Sequence, residues 1–181
     1  MTERRPIDAD IHGTGEPDEE AGAPGPVSEE TFKEALSYHA GGVTIVAVRD
    51  DRDVHATTVS SFIPVSATPP TILVSVGGNA QVLPFLDEGV PFVVNILAAD
   101  QRKLASVFAD AFPVGPSPFP DTGEPEIPGA LASIRCRVAS LIESGSGLLV
   151  LGRVEGTRTE GGDTALVHYR RGYHALGDEG A

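Results

Sequence analysis

The chain has 181 residues, with 13 Lys and Arg against 26 Asp and Glu, and a formal net charge of -13. A protein that binds nucleic acid needs clustered cations to neutralise phosphates, so this charge argues against a nucleic-acid partner. Hydrophobic residues make up 40% of the chain, which is typical of one soluble domain. Its single cysteine, Cys136, excludes an intramolecular disulfide and a multi-thiolate zinc site.

Residues 1–27 form the first distinct segment. They carry seven acids, two bases and no aromatic residue, so they cannot bury enough apolar surface to offset the entropy of ordering. We therefore predict a disordered acidic tail over 1–27 and a single folded domain over 28–181. No apolar run is long enough to cross a bilayer and the N-terminus has no apolar signal core, so a cytoplasmic location is expected.

The domain begins with a predicted helix and continues mainly as strands. Ser28 has the properties of an N-cap, Phe32 and Leu36 recur at helical spacing, and Gly41-Gly42 ends the helix. A second helix is predicted from Asp100. Strands are predicted where β-branched residues cluster, over 43–49, 54–62, 71–76, 92–97, 134–138, 148–154 and 165–169.

Prolines and turn residues separate these elements. Pro69-Pro70 is expected to interrupt regular structure before the third strand, and the six prolines of residues 113–128 predict a surface loop. The glycine pairs stand at turns and form no phosphate-binding fingerprint. Many short strands with two helices predict a mainly β fold, an antiparallel barrel that is closed or nearly closed.

The chain shows no self-sufficient catalytic motif. It has no His-Glu-x-x-His helix, no Gly-x-Ser-x-Gly elbow and no Walker loop, and its five histidines are dispersed. We predict neither a catalytic side chain nor a metal site. A domain without its own acid, base and nucleophile can still be an enzyme if a cofactor carries the reaction.

The most unusual segment is the hydroxyl-rich run from His55 to Phe62. Read as one strand, it places Thr57 and Ser61 on one face and Thr58 and Ser60 on the other. This pattern has two interpretations: an edge strand that contacts water, or the lining of a site for a polar, planar ligand. The next strand ends in small and polar residues over 75–79, where a phosphate could approach backbone donors.

Several short motifs, taken in their order and spacing, resemble one known family. They are Ala40-Gly41-Gly42-Val43-Thr44, Thr58-Val59-Ser60-Ser61-Phe62, Val65-Ser66-Ala67-Thr68-Pro69-Pro70, Phe92-Val93-Val94-Asn95-Ile96-Leu97, Asp100-Gln101, Leu104-Ala105, Phe108-Ala109, Cys136, Leu151-Gly152-Arg153-Val154 and Tyr173-His174-Ala175-Leu176. The chain resembles the flavin reductase-like members of the FMN-binding split barrel superfamily, which include the reductase components of two-component flavin monooxygenases.

The resemblance implies an antiparallel FMN-binding split β-barrel that forms a homodimer and binds FMN or FAD near the subunit interface. It also implies that NAD(P)H passes a hydride to the flavin and that the reduced flavin supplies a partner monooxygenase. The flavin-binding residues it implies are Thr57, Thr58, Val59, Ser60 and Ser61 on one strand, Ser75, Val76 and Asn79 near the phosphate, and Phe108 and Tyr173 at the border of the pocket.

The sequence departs from the family pattern at three places. Ala80 and Val82 stand where a Ser-x-Thr phosphate anchor is usual, Gly145-Ser146-Gly147 replaces a frequent Gly-Asp-His, and residues 110–128 carry four acids and no base. These departures keep two alternatives open: a tightly held flavin without an NAD(P)H step, and a barrel without cofactor that acts as an interaction module. If a missing histidine limits turnover, Gly147→His is expected to raise NADH oxidation.

Overall fold

The computed structural model describes residues 25–162 and 164–176, so the predicted tail lies outside the described residues except for 25–27. Two short 3-10 turns, Leu83–Phe85 and Ala99–Gln101, accompany the regular elements. The helices are α1 (Glu29–Ser37) and α2 (Arg102–Phe108), and the strands are β1 (Gly41–Gly42), β2 (Thr44–Arg49), β3 (Val54–Val59), β4 (Phe62–Ala67), β5 (Pro70–Val76), β6 (Pro91–Ile96), β7 (Ala132–Ser144), β8 (Gly147–Thr159), β9 (Ala165–Tyr169) and β10 (Gly172–Leu176).

The strands form a seven-stranded sheet in the order β3-β2-β6-β7-β8-β5-β4 and a three-stranded sheet in the order β1-β9-β10. All of these pairings are antiparallel, which confirms the predicted mainly β, antiparallel fold. The edge strands β3 and β4 follow one another in the chain. Only Ser60 and Ser61 connect these two edge strands, which do not pair with each other, so the barrel is split between them.

Two clusters of buried side chains lie on opposite faces of the large sheet. In β2, Val46 and Val48 belong to the cluster inside the barrel, whereas Ile45 and Ala47 belong to the cluster beneath α2. Successive side chains of a strand point to opposite faces. A strand buried on both faces therefore has a continuous apolar run, as residues 45–48 do.

Gly152 of β8 meets the ring of Phe92 from β6 inside the barrel. A Cβ atom at position 152 would lie 2.6 Å from Cζ of Phe92 and 3.1 Å from Cδ1 of Ile72. Phe92 is itself almost fully buried. The Gly152-Arg153-Val154 motif thus has a packing explanation: the ring of Phe92 fills the space that any side chain at 152 would need.

Asn95 fastens the proline-rich loop to the sheet. Its side chain is fully buried, and its Oδ1 accepts hydrogen bonds from the Ile127 N–H at 2.9 Å and the Ser133 hydroxyl at 2.7 Å. Its Nδ2 donates to the Pro125 carbonyl at 3.1 Å. Because one amide satisfies several buried backbone groups, the loop over residues 113–128 is held against the barrel without regular structure of its own.

The single strand predicted over 54–62 is wrong, because two strands share this region. β3 ends at Val59, Ser60 and Ser61 form a connection, and β4 begins at Phe62. The prediction that prolines separate the strands is also wrong, because Pro70 is the first residue of β5 and pairs with Ala67. Proline is tolerated at the first position of a strand and on edge strands such as β4, where no ladder hydrogen bond is lost.

Helix α1 begins as predicted, and the Ser28 hydroxyl accepts the Thr31 N–H at 3.2 Å. None of its side chains is buried, however, and its apolar residues Phe32 and Leu36 are 56% and 52% exposed. The second predicted helix begins as the Ala99–Gln101 turn and continues as α2. The apolar stripe of α1 therefore has no partner within the described part of the chain.

Candidate functional site

Three adjoining clefts run along β3 and the turn that follows it. A cleft of about 370 Å³ and one of about 130 Å³ share Thr58 and Ala109. The second cleft shares Ser60 and His168 with a third of about 520 Å³. We call this continuous depression the trough. Its two larger parts fall within the roughly 300–1,000 Å³ that is usual for small-molecule sites.

Hydroxyl groups tie the middle of the trough to helix α2. The Thr58 hydroxyl donates to the Ala105 carbonyl at 2.8 Å, and the Thr57 hydroxyl donates to the Phe108 carbonyl at 3.4 Å. The Tyr173 hydroxyl also donates to Ala105, at 3.4 Å. Each proton is directed to the helix, so the oxygen lone pairs of these side chains remain for N–H or O–H donors of a ligand.

Ser60 and Ser61 are exposed and line the trough where β3 ends. Neither hydroxyl bonds another group in the described part of the chain. The side chain of Val59 between Thr58 and Ser60 points into the barrel core. A ligand in the trough therefore meets hydroxyls from positions 58, 60 and 61 and only the backbone of Val59.

Residues 77–80 and 109–111 line one end of the trough. We call it the acidic end, because Asp110 is the only charged residue among its described lining residues. The N–H groups of Gly78 and Asn79 have no acceptor among the described residues. These two donors suit a phosphate, which backbone N–H groups in turns commonly bind. Val82, at a position where the family usually has an anchor, is fully buried in the barrel core.

The tip of the β7–β8 hairpin packs against this acidic end. A Cβ atom on Gly78 would lie 2.2 Å from the Ser146 carbonyl oxygen, and one on Gly147 would lie 2.3 Å from the Val76 carbonyl oxygen. Both contacts are with backbone, which cannot rotate away. The expectation that Gly147→His would restore a useful contact is therefore revised, because position 147 has no room for a side chain.

The opposite end, called the basic end, is lined by Lys33 and His39 near α1, His168 of β9 and Arg171 of the β9–β10 turn. No Asp or Glu is among its described lining residues. Sequence analysis missed this cluster because Lys33 and His39 precede His168 and Arg171 by more than 120 residues, and the pairing of β1 with β9 brings the two pairs together. The double arginine at 170–171 was the one available signal.

The predicted site residues occupy four environments. Ser75 is exposed but lies outside the lining of the trough, and Val76 is buried in the barrel core. Phe108 is buried against Phe119, with ring centroids 5.7 Å apart. The residues that the structure places along the trough are Thr57, Thr58, Ser60, Ser61, Asn79 and Tyr173. Their role in binding stays a prediction.

Burial keeps two titratable side chains, one beside the trough and one in the barrel core, in their protonated forms. Burial raises the pKa of the Tyr173 phenol above its ordinary value, so the phenol stays protonated and acts as a donor. Burial also raises the pKa of Cys136 to about 12, which keeps its thiol protonated and inert. Among residues 25–162 and 164–176, no three His, Cys, Asp or Glu side chains converge as metal ligands would. The trough can bind and orient ligands.

Comparison with known proteins identifies the family to which this chain belongs. The family model described as Flavin reductase like domain matches residues 36–177. The chain belongs to this flavin reductase family, and its barrel is the antiparallel split barrel that the sequence motifs predicted.

Individual relatives cover nearly the whole described domain. The chain is 34% identical to the reductase component of 4-hydroxyphenylacetate 3-monooxygenase from Thermus thermophilus, over 82% of this chain and 97% of that one. It is similar in structure to BorF, the flavin reductase component of a bacterial two-component tryptophan halogenase, with a TM-score of 0.75, 32% identity and coverage of 84% and 100%. It also resembles the NADH:FAD oxidoreductase SgcE6 of Streptomyces globisporus, solved with NAD and FAD fragments, with a TM-score of 0.75, 26% identity and coverage of 89% and 100%.

Within residues 25–162 and 164–176, no helix is long and apolar enough to cross a bilayer.

Proposed function

We propose that this protein is an NAD(P)H:flavin oxidoreductase that reduces FMN or FAD. The observation that carries the proposal is the trough itself, a ligand-sized depression lined by uncharged hydroxyls and backbone groups along β3. A bound flavin supplies the redox chemistry, because its ring accepts a hydride from the nicotinamide. The relatives named above, two reductase components and an NADH:FAD oxidoreductase, support this reading.

The residues of the trough fit a flavin. The ring of a flavin is planar and carries several carbonyl and N–H groups, which match the uncommitted hydroxyls of Ser60 and Ser61 and the lone pairs of Thr58. Free N–H groups at Gly78 and Asn79 lie at the far end, where a flavin phosphate would reach them. Tyr173 borders the middle of the trough, where its hydroxyl is hydrogen-bonded to the Ala105 carbonyl.

This chain does not need a general acid or base for the proposed reaction. Hydride transfer between two bound rings depends mainly on holding them in the correct relative position. The trough supplies that positioning through α2, to which Thr57, Thr58 and Tyr173 are hydrogen-bonded. Backbone donors can stabilise the negative charge that the flavin gains, without a titratable side chain.

The downstream partner is proposed to be a separate flavin-dependent monooxygenase. Reductase components named for such systems are among the relatives of this chain. The trough is open to the exterior along exposed residues such as Ser60 and Ser61, which suits a flavin that enters and leaves as a substrate. The same proposal places the enzyme in the cytoplasm, where NAD(P)H is available.

A homodimer is also part of the proposal. The apolar side chains of Phe32 on α1 and of Val65 on β4 are each more than half exposed and line no part of the trough. β4 is also an edge strand. A second copy that covers these residues would bring the subunit interface next to the trough. Sedimentation of the purified protein should show a dimer that Phe32→Glu shifts towards the monomer, and a monomeric wild type would contradict it.

Flavin titration and gel filtration test the proposed function. We expect a purified protein that is colourless after gel filtration and oxidises NADH or NADPH only when free flavin is added. A yellow protein that keeps its flavin and does not oxidise either coenzyme would favour the alternative of a tightly held flavin. Failure to bind FMN or FAD at high micromolar concentration would indicate the interaction module instead.

A further inference from the structure

We propose that the β9–β10 turn presents Arg171, with Lys33 of α1, to the pyrophosphate of the nicotinamide dinucleotide. This inference rests on the proposed function and names the residues that recognise the hydride donor. It assigns a binding role to the basic end of the trough. Of the predicted flavin-binding residues, only Ser60 and Ser61 line that end.

The backbone of the turn is strained. Arg170 has a φ of 48° and Arg171 a φ of 60°, so two consecutive residues other than glycine adopt the left-handed conformation. Tyr169 and Gly172 pair on either side of them, which makes a two-residue hairpin. Hairpins of this kind favour Asn and Gly at the central positions. Strained backbone in a folded protein often lies at sites of ligand contact, so the two arginines call for an explanation.

Arg170 explains how the strained turn is held. Its N–H donates to the Ser37 carbonyl at the end of α1, at 2.8 Å. Its guanidinium lies 5.0 Å from the ring centre of Tyr38 and 5.8 Å from that of Tyr169, both within the range of cation–π attraction. Arg170 thus fixes the turn to α1 and leaves its neighbour, Arg171, facing the trough.

Arg171 is available to bind an anion. It is exposed and lines the basic end, and no carboxylate lies within ion-pairing distance of it in the described part of the chain. Lys33 on the opposite wall pairs only with Glu29, which is exposed on the same helix. A planar guanidinium can donate two parallel hydrogen bonds to a phosphate, and a lysine on the other side adds a point charge.

The position of this basic end suits the dinucleotide and not the flavin phosphate. Ser60, Ser61 and Phe62 line the same cleft as Arg171, so a nicotinamide stacked on a flavin ring at Ser60 would place its phosphates nearby. The flavin phosphate would lie at the acidic end, which Asp110 lines. The chain has a net charge of -13, so a dianionic coenzyme is attracted most strongly to a cation such as Arg171, which forms no ion pair with the described residues and lies beside the hydride-transfer region.

The test replaces Arg171 by Asn and by Gly, the two residues that the turn geometry favours. Both changes remove the charge and relieve the strained backbone, so the free energy of unfolding should stay equal or rise. We expect the Kd for NAD⁺, measured by calorimetry on the flavin-loaded protein, to rise about tenfold. The matched control is Arg102→Asn, because Arg102 is exposed on α2 and lines no part of the trough.

Steady-state kinetics adds a second measurement. The KM for NADH should rise in the Arg171 variants while kcat changes little, because the lost contact is far from the reacting atoms. A phosphate-free donor, 1-benzyl-1,4-dihydronicotinamide, should show the same KM with the wild type and the variants. Salt should weaken NAD⁺ binding to the wild type more than to the variants, since screening acts on the charge that was removed.

Different outcomes overturn different statements. An unchanged Kd for NAD⁺ in both variants, or an equal loss with the phosphate-free donor, would overturn the role of Arg171. A loss confined to NADPH would assign Arg171 to the 2′-phosphate and overturn the assignment to the pyrophosphate. A wild type that binds NAD⁺ through Arg171 but reduces no flavin with any donor would leave this inference standing and overturn the proposed function.

Discussion

The two ends of the trough differ both in charge and in how they are held. The acidic end consists of backbone packed against the β7–β8 hairpin, where Gly78 meets Ser146, and its described lining contains no cation. The basic end depends on α1, which buries none of its side chains, and on a strained turn. Shape and backbone donors therefore select a ligand at the first end, whereas charge selects it at the second. Each of the first three predictions below alters one side of this difference.

The largest effect is expected from a side chain at the tightly packed hairpin tip. Gly147→His should destabilise the fold by about 2 to 3 kcal/mol, because its Cβ would meet the Val76 carbonyl oxygen. Urea unfolding measures this free energy. Ser144→His is the matched control, because Ser144 is exposed on the adjacent strand. A fully stable Gly147→His protein with faster NADH oxidation would show that the tip can open and that its packing does not define the acidic end.

The next effect concerns the hydroxyls at the centre of the trough. Ser60→Val and Ser61→Val should each weaken flavin binding by about 1 to 3 kcal/mol, because a polar atom of the ligand loses its partner. The measurement is the Kd for FMN and for FAD by fluorescence titration. Ser144→Val, outside the trough, controls for the loss of a surface hydroxyl. If both substitutions leave the Kd unchanged, the ring of the flavin does not lie between the two ends.

A smaller effect is expected from the charge at the acidic end. Asp110→Asn should tighten FMN binding by about 0.5 kcal/mol, because it removes repulsion between a carboxylate and the phosphate at an exposed position. Riboflavin, which lacks the phosphate, should bind both proteins equally. Asp121→Asn on the same loop is the control, since Asp121 is exposed and lines no part of the trough. Equal gains for FMN and riboflavin would mean that the phosphate lies elsewhere.

The smallest effect concerns the turn between β2 and β3, outside the lining of the trough. Hydrogen bonds from the Asp53 and Arg52 N–H groups, and from the His55 side chain, lower the pKa of Asp50 to about 2. A carboxyl group with a lowered pKa stabilises the fold above its unfolded value near 4, and this contribution is lost as the pH falls towards 2. The free energy of unfolding of Asp50→Asn should therefore fall less steeply between pH 4 and pH 2 than that of the wild type. An equally steep fall would show that Asp50 does not cause the loss of stability of the wild type in this pH range.

Sequence analysis predicted the fold class and the positions of most elements because these depend on local patterns. β-branched runs predicted β2, β5, β6 and β9, and Ser28 predicted the start of α1. The division between β3 and β4 was missed because no Gly or Pro marks the connection formed by Ser60 and Ser61. β10 was missed as a separate strand because the turn before it uses two arginines, which are not turn residues in sequence statistics.

The candidate site was predictable only in part for a related physical reason. The hydroxyls near Thr58 are consecutive, so the sequence alone draws attention to them. The cations Lys33 and Arg171 are brought together by tertiary structure, and neither has an unusual neighbour in sequence apart from Arg170. The burial of Val59 and Val76 also follows from the alternation of side chains along a strand, but which face of the strand is the inside depends on the curvature of the whole sheet.

The contact between Phe92 and Gly152 has a consequence for how such barrels diverge. A Cβ atom at 152 would collide with the ring, so Gly152→Ala alone is unfavourable, and shortening Phe92 alone leaves a void. Both changes made together would relieve each other. Positions 92 and 152 should therefore vary as a pair across descendants of one ancestor. A double-mutant cycle would measure this dependence as a coupling free energy between β6 and β8, which are not neighbours in the sheet.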